Sequence, residues 1–72
     1  MRKRSIAIKG HRTSIALEPE FWAALDAIAE RRGTSLPVLI SEIDRARLLK
    51  EPAPGLASAL RVFVLENARA AG

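Results

Sequence analysis

From Thr13 to Leu17 the chain alternates: Ile15 and Leu17 are two apart, and Arg12, Ser14 and Ala16 take the other parity. A period of two reads as a half-buried strand, one face against a core and the other shown to a partner. The period then changes. Phe21, Leu25 and Ile28 recur at helical spacing, with Trp22, Ala24 and Ala29 widening the stripe and Asp26, Glu30 and Arg31 opposite it. Glu18-Pro19-Glu20 suits the start of that helix, because proline's missing N–H is not needed in a first turn and the helix dipole favours acids there. Gly33 behind Arg31-Arg32 suits its end, so the pattern predicts a helix over residues 19–32.

Thr34-Ser35 then supplies an N-cap, most simply Ser35, for a second helix from Leu36 to about Leu49 or Lys50. Leu36, Leu39, Ile40, Ile43 and Ala46 form its apolar side, and Pro37 is tolerated in the first turn. Ser41, Glu42, Asp44, Arg45 and Arg47 read as an ordinary solvated face. Glu51-Pro52-Ala53-Pro54-Gly55 breaks the helix. Leu56, Leu60, Phe63, Val64 and Asn67 mark a third helix, with Arg61, Glu66 and Arg69 pointing elsewhere and Ala68 to Gly72 expected to fray. Val62 to Leu65 alone would pass for a buried strand, but helical spacing continues from Leu56 without a turn signal. Ahead of the main strand, Ser5 to Ile8 alternates weakly and is cut off by Lys9-Gly10-His11, where Gly10 permits a turn or bulge. That segment reads as a first strand, an arm reaching along DNA, or a frayed terminus. The resulting division is a basic N-terminal arm (1–11), a core (12–50), a linker (51–55) and a C-terminal helix (56–72).

At 72 residues the chain is one domain of a size where a lone core is marginal. It has no cysteine and one histidine, which excludes disulfides and makes a poor zinc set; no metal and no cofactor are expected, and oligomerisation remains as the source of added stability. A single exposed strand invites pairing with another copy. Phe21, Trp22, Leu25, Ile28, Leu39, Ile40 and Ile43 exceed what a two-helix monomer encloses, so together with Ile15 and Leu17 they are expected to form the core of an obligate homodimer. No apolar run nears the roughly 20 residues of a membrane span, and Met1-Arg2-Lys3-Arg4 lacks the apolar stretch of a signal peptide. The expectation is a cytoplasmic, unprocessed protein with no membrane partner.

Charge sharpens this. Residues 1–12 carry Arg2, Lys3, Arg4, Lys9 and Arg12 and no acid, whereas the remainder holds seven bases and eight acids. A basic field at the strand end suits phosphate backbones or anionic lipid. Catalysis is hard to build from one histidine, no cysteine, no tyrosine, scattered acids and no glycine-rich phosphate loop, and an enzyme is rejected. His11 reads as a surface or DNA-contacting residue rather than a metal ligand or base. Trp22, flanked by Phe21 and Leu25, reads as core or interface rather than a stacking platform for single strands. If two copies of Thr13–Leu17 pair antiparallel across a two-fold axis, Arg12, Ser14 and Ala16 face outward on a ribbon that fits the major groove. Arg12 would then donate to guanine O6 and N7, Ser14 would use its hydroxyl either way, and Ala16 would touch a thymine methyl. Arg2, Lys3, Arg4, Lys9 and His11 would meet phosphates. The competing reading is simply the polar side of a half-buried strand.

Arg12-Thr13-Ser14-Ile15-Ala16-Leu17, then Pro19-Glu20-Phe21-Trp22 with Leu25, then Gly33-Thr34-Ser35 opening the second helix, resembles the ribbon-helix-helix superfamily of the Arc, MetJ and CopG repressors. The chain particularly resembles a small bacterial branch with a His-Arg-Thr-Ser strand and an Arg-x-Phe-Val-Leu-Glu tail, here Arg61 to Glu66. The resemblance implies a mainly α fold with one short β-strand, an intertwined homodimer with an intermolecular antiparallel ribbon, and a third C-terminal helix as an addition to the minimal family. It also implies that the three outward strand positions read bases and that Ser35 and Leu36 offer backbone N–H groups to phosphate. Ala16 is small where the family often has a polar reader, and Pro37 removes one donor. The implied function is a double-stranded DNA-binding repressor or autoregulator. Alternatives are an antitoxin whose C-terminal helix holds a toxin, and a dimeric adaptor that does not bind DNA.

Overall fold

The chain doubles back at Lys9-Gly10, where both residues have positive φ (51° and 80°). Two central residues of that kind make the hairpin turn whose twist matches that of the flanking strands. The computed structural model describes residues 1–71. It comprises β1 (Arg2–Ile8), β2 (His11–Leu17), α1 (Pro19–Arg31), α2 (Leu36–Arg47) and α3 (Leu56–Ala71). β1 and β2 pair antiparallel, with Arg2 opposite Leu17, Ser5 opposite Ser14 and Ile8 opposite His11.

The chain holds two strands where the family resemblance implies one. Residues 2–8, assigned from sequence to a basic arm, are the second strand of the ribbon, and β2 finds its partner in its own chain. The cause lies partly in the two-residue turn and partly in what β1 buries. Ile6 and Ile8 join Ile15 and Leu17 on the inner face of the hairpin, all four in the core. β1 packs on α2, and β2 on α3.

The helix ends follow local chemistry. Gly33 has φ 66° and donates its N–H to Glu30 O, while Thr34 N–H reaches Ala29 O. These are the two bonds of a Schellman cap, which a glycine in the left-handed region permits. Ser35 caps α2 by accepting Val38 N–H at 3.3 Å. α2 stops at Arg47, short of the expected Leu49 or Lys50, because Leu49 N–H and Lys50 N–H turn to carbonyls three residues back. α3 continues through the stretch expected to fray, as far as Ala71, while Gly72 lies outside the described residues.

One core serves every element. Trp22, Leu25 and Ile28 of α1, Leu39, Ile40 and Ile43 of α2 and Leu60 and Val64 of α3 are buried together with the inner face of the hairpin. Phe21 is half-buried and packs against this cluster. The side chains thought too many for a two-helix monomer are thus enclosed within one chain, because β1 and α3 supply cover that a strand and two helices lack. Among the described residues no polar or charged residue is buried, so the core hides no titratable group.

Candidate nucleic-acid interface

The antiparallel register divides the hairpin residues between two faces. Arg4, Ile6, Ile8, Thr13, Ile15 and Leu17 turn inward; Lys3, Ser5, Ala7, Arg12, Ser14 and Ala16 turn outward. All six outward residues are exposed except Ala16, which is half-buried. Two of the six are cations, two are hydroxyls, and none is an acid. Arg12 Nη1 donates to Ser5 Oγ at 3.3 Å, diagonally across the two strands. A two-stranded ribbon with hydrogen-bonding groups, small side chains and positive charge is the kind of surface a major groove admits.

The inner face is tied to the helices. Trp22 Nε1 donates to the Arg2 carbonyl at 2.8 Å. The Arg4 guanidinium lies 4.7 Å from the centre of the Trp22 ring and pairs with Asp26 at 3.3 Å. These three contacts hold the start of β1 on α1. Beyond β2, Arg61 of α3 grips both carboxylate oxygens of Glu18, through Nε at 2.9 Å and Nη2 at 3.2 Å. It also lies over the Phe21 ring at 5.9 Å. The Arg61 hydrogen bonds lower the Glu18 pKa from its ordinary value, with help from the backbone. Glu18, the first acid after the strands, therefore sits compensated beside the ribbon rather than opposing its positive charge.

Of the residues singled out for base reading, Arg12, Ser14 and Ala16 share the outward face. The proposed phosphate ligands are dispersed. Lys3 stands among the outward residues, Arg4 points inward, and Arg2 is exposed at the start of β1. Lys9 occupies the turn, and His11 is exposed beside it. Ser35 and Leu36 open α2, where Val38 N–H is taken by Ser35 Oγ, Leu39 N–H by Ser35 O, and Pro37 has none. That leaves Ser35 and Leu36 themselves as the donors the helix start can offer. Arg47 is engaged with Asp44 at 2.7 Å and with the Pro54 carbonyl at 3.0 Å, fastening the α2–α3 connection.

Sequence reading left Ser5 and Ala7 without a role and gave Lys3 only a phosphate. The signal was a repeat nine residues apart: Lys3-Arg4-Ser5-Ile6-Ala7-Ile8 and Arg12-Thr13-Ser14-Ile15-Ala16-Leu17. Among the described residues no three histidine, aspartate or glutamate side chains gather as metal ligands. Nor is any described helix long and apolar enough to cross a membrane.

Comparison with known proteins returned no match among curated proteins or solved structures. The profile of one domain family matches residues 1–68, a span that takes in the hairpin, α1, α2 and most of α3. With a two-stranded ribbon followed by its helices in that order, the chain belongs to the ribbon-helix-helix domain family.

Proposed function

We propose that this protein is a sequence-specific regulator of transcription, a repressor or autoregulator, that lays its β-ribbon in the major groove of double-stranded DNA. Ribbon-helix-helix domains generally bind DNA, as transcription regulators or antitoxins, rather than acting as enzymes. The observation that carries the reading here is the outward face of the hairpin, which holds Arg12, Ser14 and Ala16 with no acid among them. Arg12 reads guanine, Ser14 a neighbouring base edge and Ala16 a thymine methyl, while Arg2, Lys9, His11 and the start of α2 at Ser35 and Leu36 position the phosphates.

Two copies act together in this reading. Val38, Leu48, Leu49, Val62 and Leu65 are exposed on α2, its trailing turn and α3. Between α2 and α3 runs a groove of about 480 Å³ lined by Ile43, Ala46, Val62 and Phe63, with Arg32 and Glu66 beside them. A self-association surface on the helices leaves the ribbon free for DNA. The repressor reading is preferred to the antitoxin reading because Leu60 and Val64, the central apolar residues of α3, are spent in the chain's own core. Selection of binding sites from random duplex DNA near physiological salt tests the proposal. Enrichment of a shared motif, bound with an affinity that falls steeply as salt rises, is the expected result. No enrichment and salt-insensitive association would favour an adaptor that does not bind DNA.

A further inference from the structure

The nine-residue repeat and the strand register have one geometric consequence in common. Paired residues have numbers that sum to a constant, so Lys3 lies opposite Ala16, Ser5 opposite Ser14 and Ala7 opposite Arg12. A half-turn about an axis through the Ser5–Ser14 pair, perpendicular to the ribbon, carries Lys3 onto Arg12, Ser5 onto Ser14 and Ala7 onto Ala16. Of the inward residues the apolar ones obey the same operation, with Ile6 falling on Ile15 and Ile8 on Leu17, while Arg4 falls on Thr13. The outward face is a two-fold pattern in chemistry as well as in backbone: cation, hydroxyl and methyl down one strand, and the same three down the other. Two strands related by such an axis are what two copies of one strand would build, and here a single chain builds them.

We propose that Lys3, Ser5 and Ala7 read bases alongside Arg12, Ser14 and Ala16, so that one chain presents a complete pseudo-two-fold reading ribbon to duplex DNA. This rests on the DNA-binding reading above and adds β1 to it. Lys3 and Arg12 occupy diagonal corners. Four residues of strand at about 3.3 Å each and a strand spacing of about 4.8 Å separate their Cα atoms by about 14 Å. That is about four base-pair steps at 3.4 Å. Each corner reaches a guanine in one half of a short inverted repeat, with the serines over its centre. The halves are not equivalent, because Arg12 matches guanine O6 and N7 as a fork whereas Lys3 meets them as a compact ammonium. Discrimination is therefore stronger in the Arg12 half.

The test uses the full chain and its Lys3→Ala, Lys3→Arg and Arg12→Ala variants on the duplex selected by the wild type, with each base pair replaced in turn. The wild type is expected to show two discriminating positions about four base pairs apart, each worth roughly 5- to 150-fold. Lys3→Ala flattens one position and spares the other, Arg12→Ala does the reverse, and Lys3→Arg sharpens the Lys3 position. Melting curves of all three should overlay the wild type, since both side chains are exposed. If Lys3→Ala weakens every duplex alike and lowers the salt slope by about one, Lys3 is a phosphate ligand and the inference falls while DNA binding stands. If the wild type discriminates at no base pair, the DNA-binding reading falls with it.

Discussion

Lys3 and Arg4 are adjacent cations on one strand, and the two faces of the hairpin put them to different use. Lys3 faces outward with the serines and Arg12. Arg4 faces inward, stacked on Trp22 and paired with Asp26, and so belongs to the structure rather than to the surface shown to a partner. Charge and sequence position are nearly the same for the two; strand parity separates them. A basic run is therefore not a uniform electrostatic footprint once it lies in a strand. Half of it faces whatever the strand binds, and half must find partners on the side that packs.

Substitutions on the two faces should divide stability from binding. The largest effect is expected on the inner face: Trp22→Ala removes a buried side chain, its hydrogen bond to the Arg2 carbonyl and the platform under Arg4. A loss of about 3–5 kcal/mol is expected from chemical denaturation. Next comes Arg12→Ala on the outer face, costing about 1–3 kcal/mol at the preferred duplex in equilibrium binding while leaving the denaturation midpoint where it was. Arg4→Ala should do the opposite, lowering stability by about 0.5–1 kcal/mol through the lost cation–π contact and leaving base preference unchanged. A loss of sequence preference confined to Arg4→Ala would overturn the division between faces.

Two smaller effects sharpen the account at the ends of the ribbon. Lys9 holds φ 51° without being glycine, so Lys9→Asn should raise stability by up to about 1 kcal/mol by easing the left-handed conformation. A hairpin that opened in solution would not respond. The smallest effect concerns Glu18. A carboxylate with a pKa lower in the folded than in the unfolded chain contributes stability above its ordinary value near 4.5, lost as the pH falls through the lowered value. Glu18→Gln should therefore narrow the stability gap between neutral and acidic pH, and a denaturation series from pH 7 down to pH 3 would record it.

The helices were legible in the sequence because their signals are local. Gly33, Ser35 and Pro19 mark ends whose hydrogen bonds span only a few residues. β2 was legible because Ile15 and Leu17 alternate with polar residues up to the Pro19 boundary. β1 was obscured, since Arg4 takes one of its inward positions and Arg2, of the same parity, is exposed, so the period of two shows apolar residues only at Ile6 and Ile8. What makes an inward Arg4 acceptable is Trp22, eighteen residues on, and no local rule foretells that contact. The outward face of the hairpin divided in the same way. The shared orientation of Arg12, Ser14 and Ala16 followed from parity alone, whereas Lys3, Ser5 and Ala7 joined them on that face only when the register set the nine-residue repeat antiparallel to itself. The Arg61 grip on Glu18 gives a structural reason for the arginine of the C-terminal motif, again across a distance the sequence does not display.

β1 and β2 complete the ribbon within one chain, and a disulfide across its pseudo-two-fold axis distinguishes this from a ribbon shared between copies. In a hairpin with a two-residue loop the Ile8–His11 pair exchanges hydrogen bonds, and the alternation makes Ser5–Ser14 a non-bonded pair with Cα atoms about 4.5 Å apart. That spacing admits a disulfide, and the chain has no other cysteine to compete. The Ser5→Cys/Ser14→Cys double variant, oxidised and run on a denaturing gel without reductant, is predicted to migrate as a single cross-linked chain. Disulfide-linked pairs of chains as the main product would mean that the ribbon is shared between two copies, and would contradict the account.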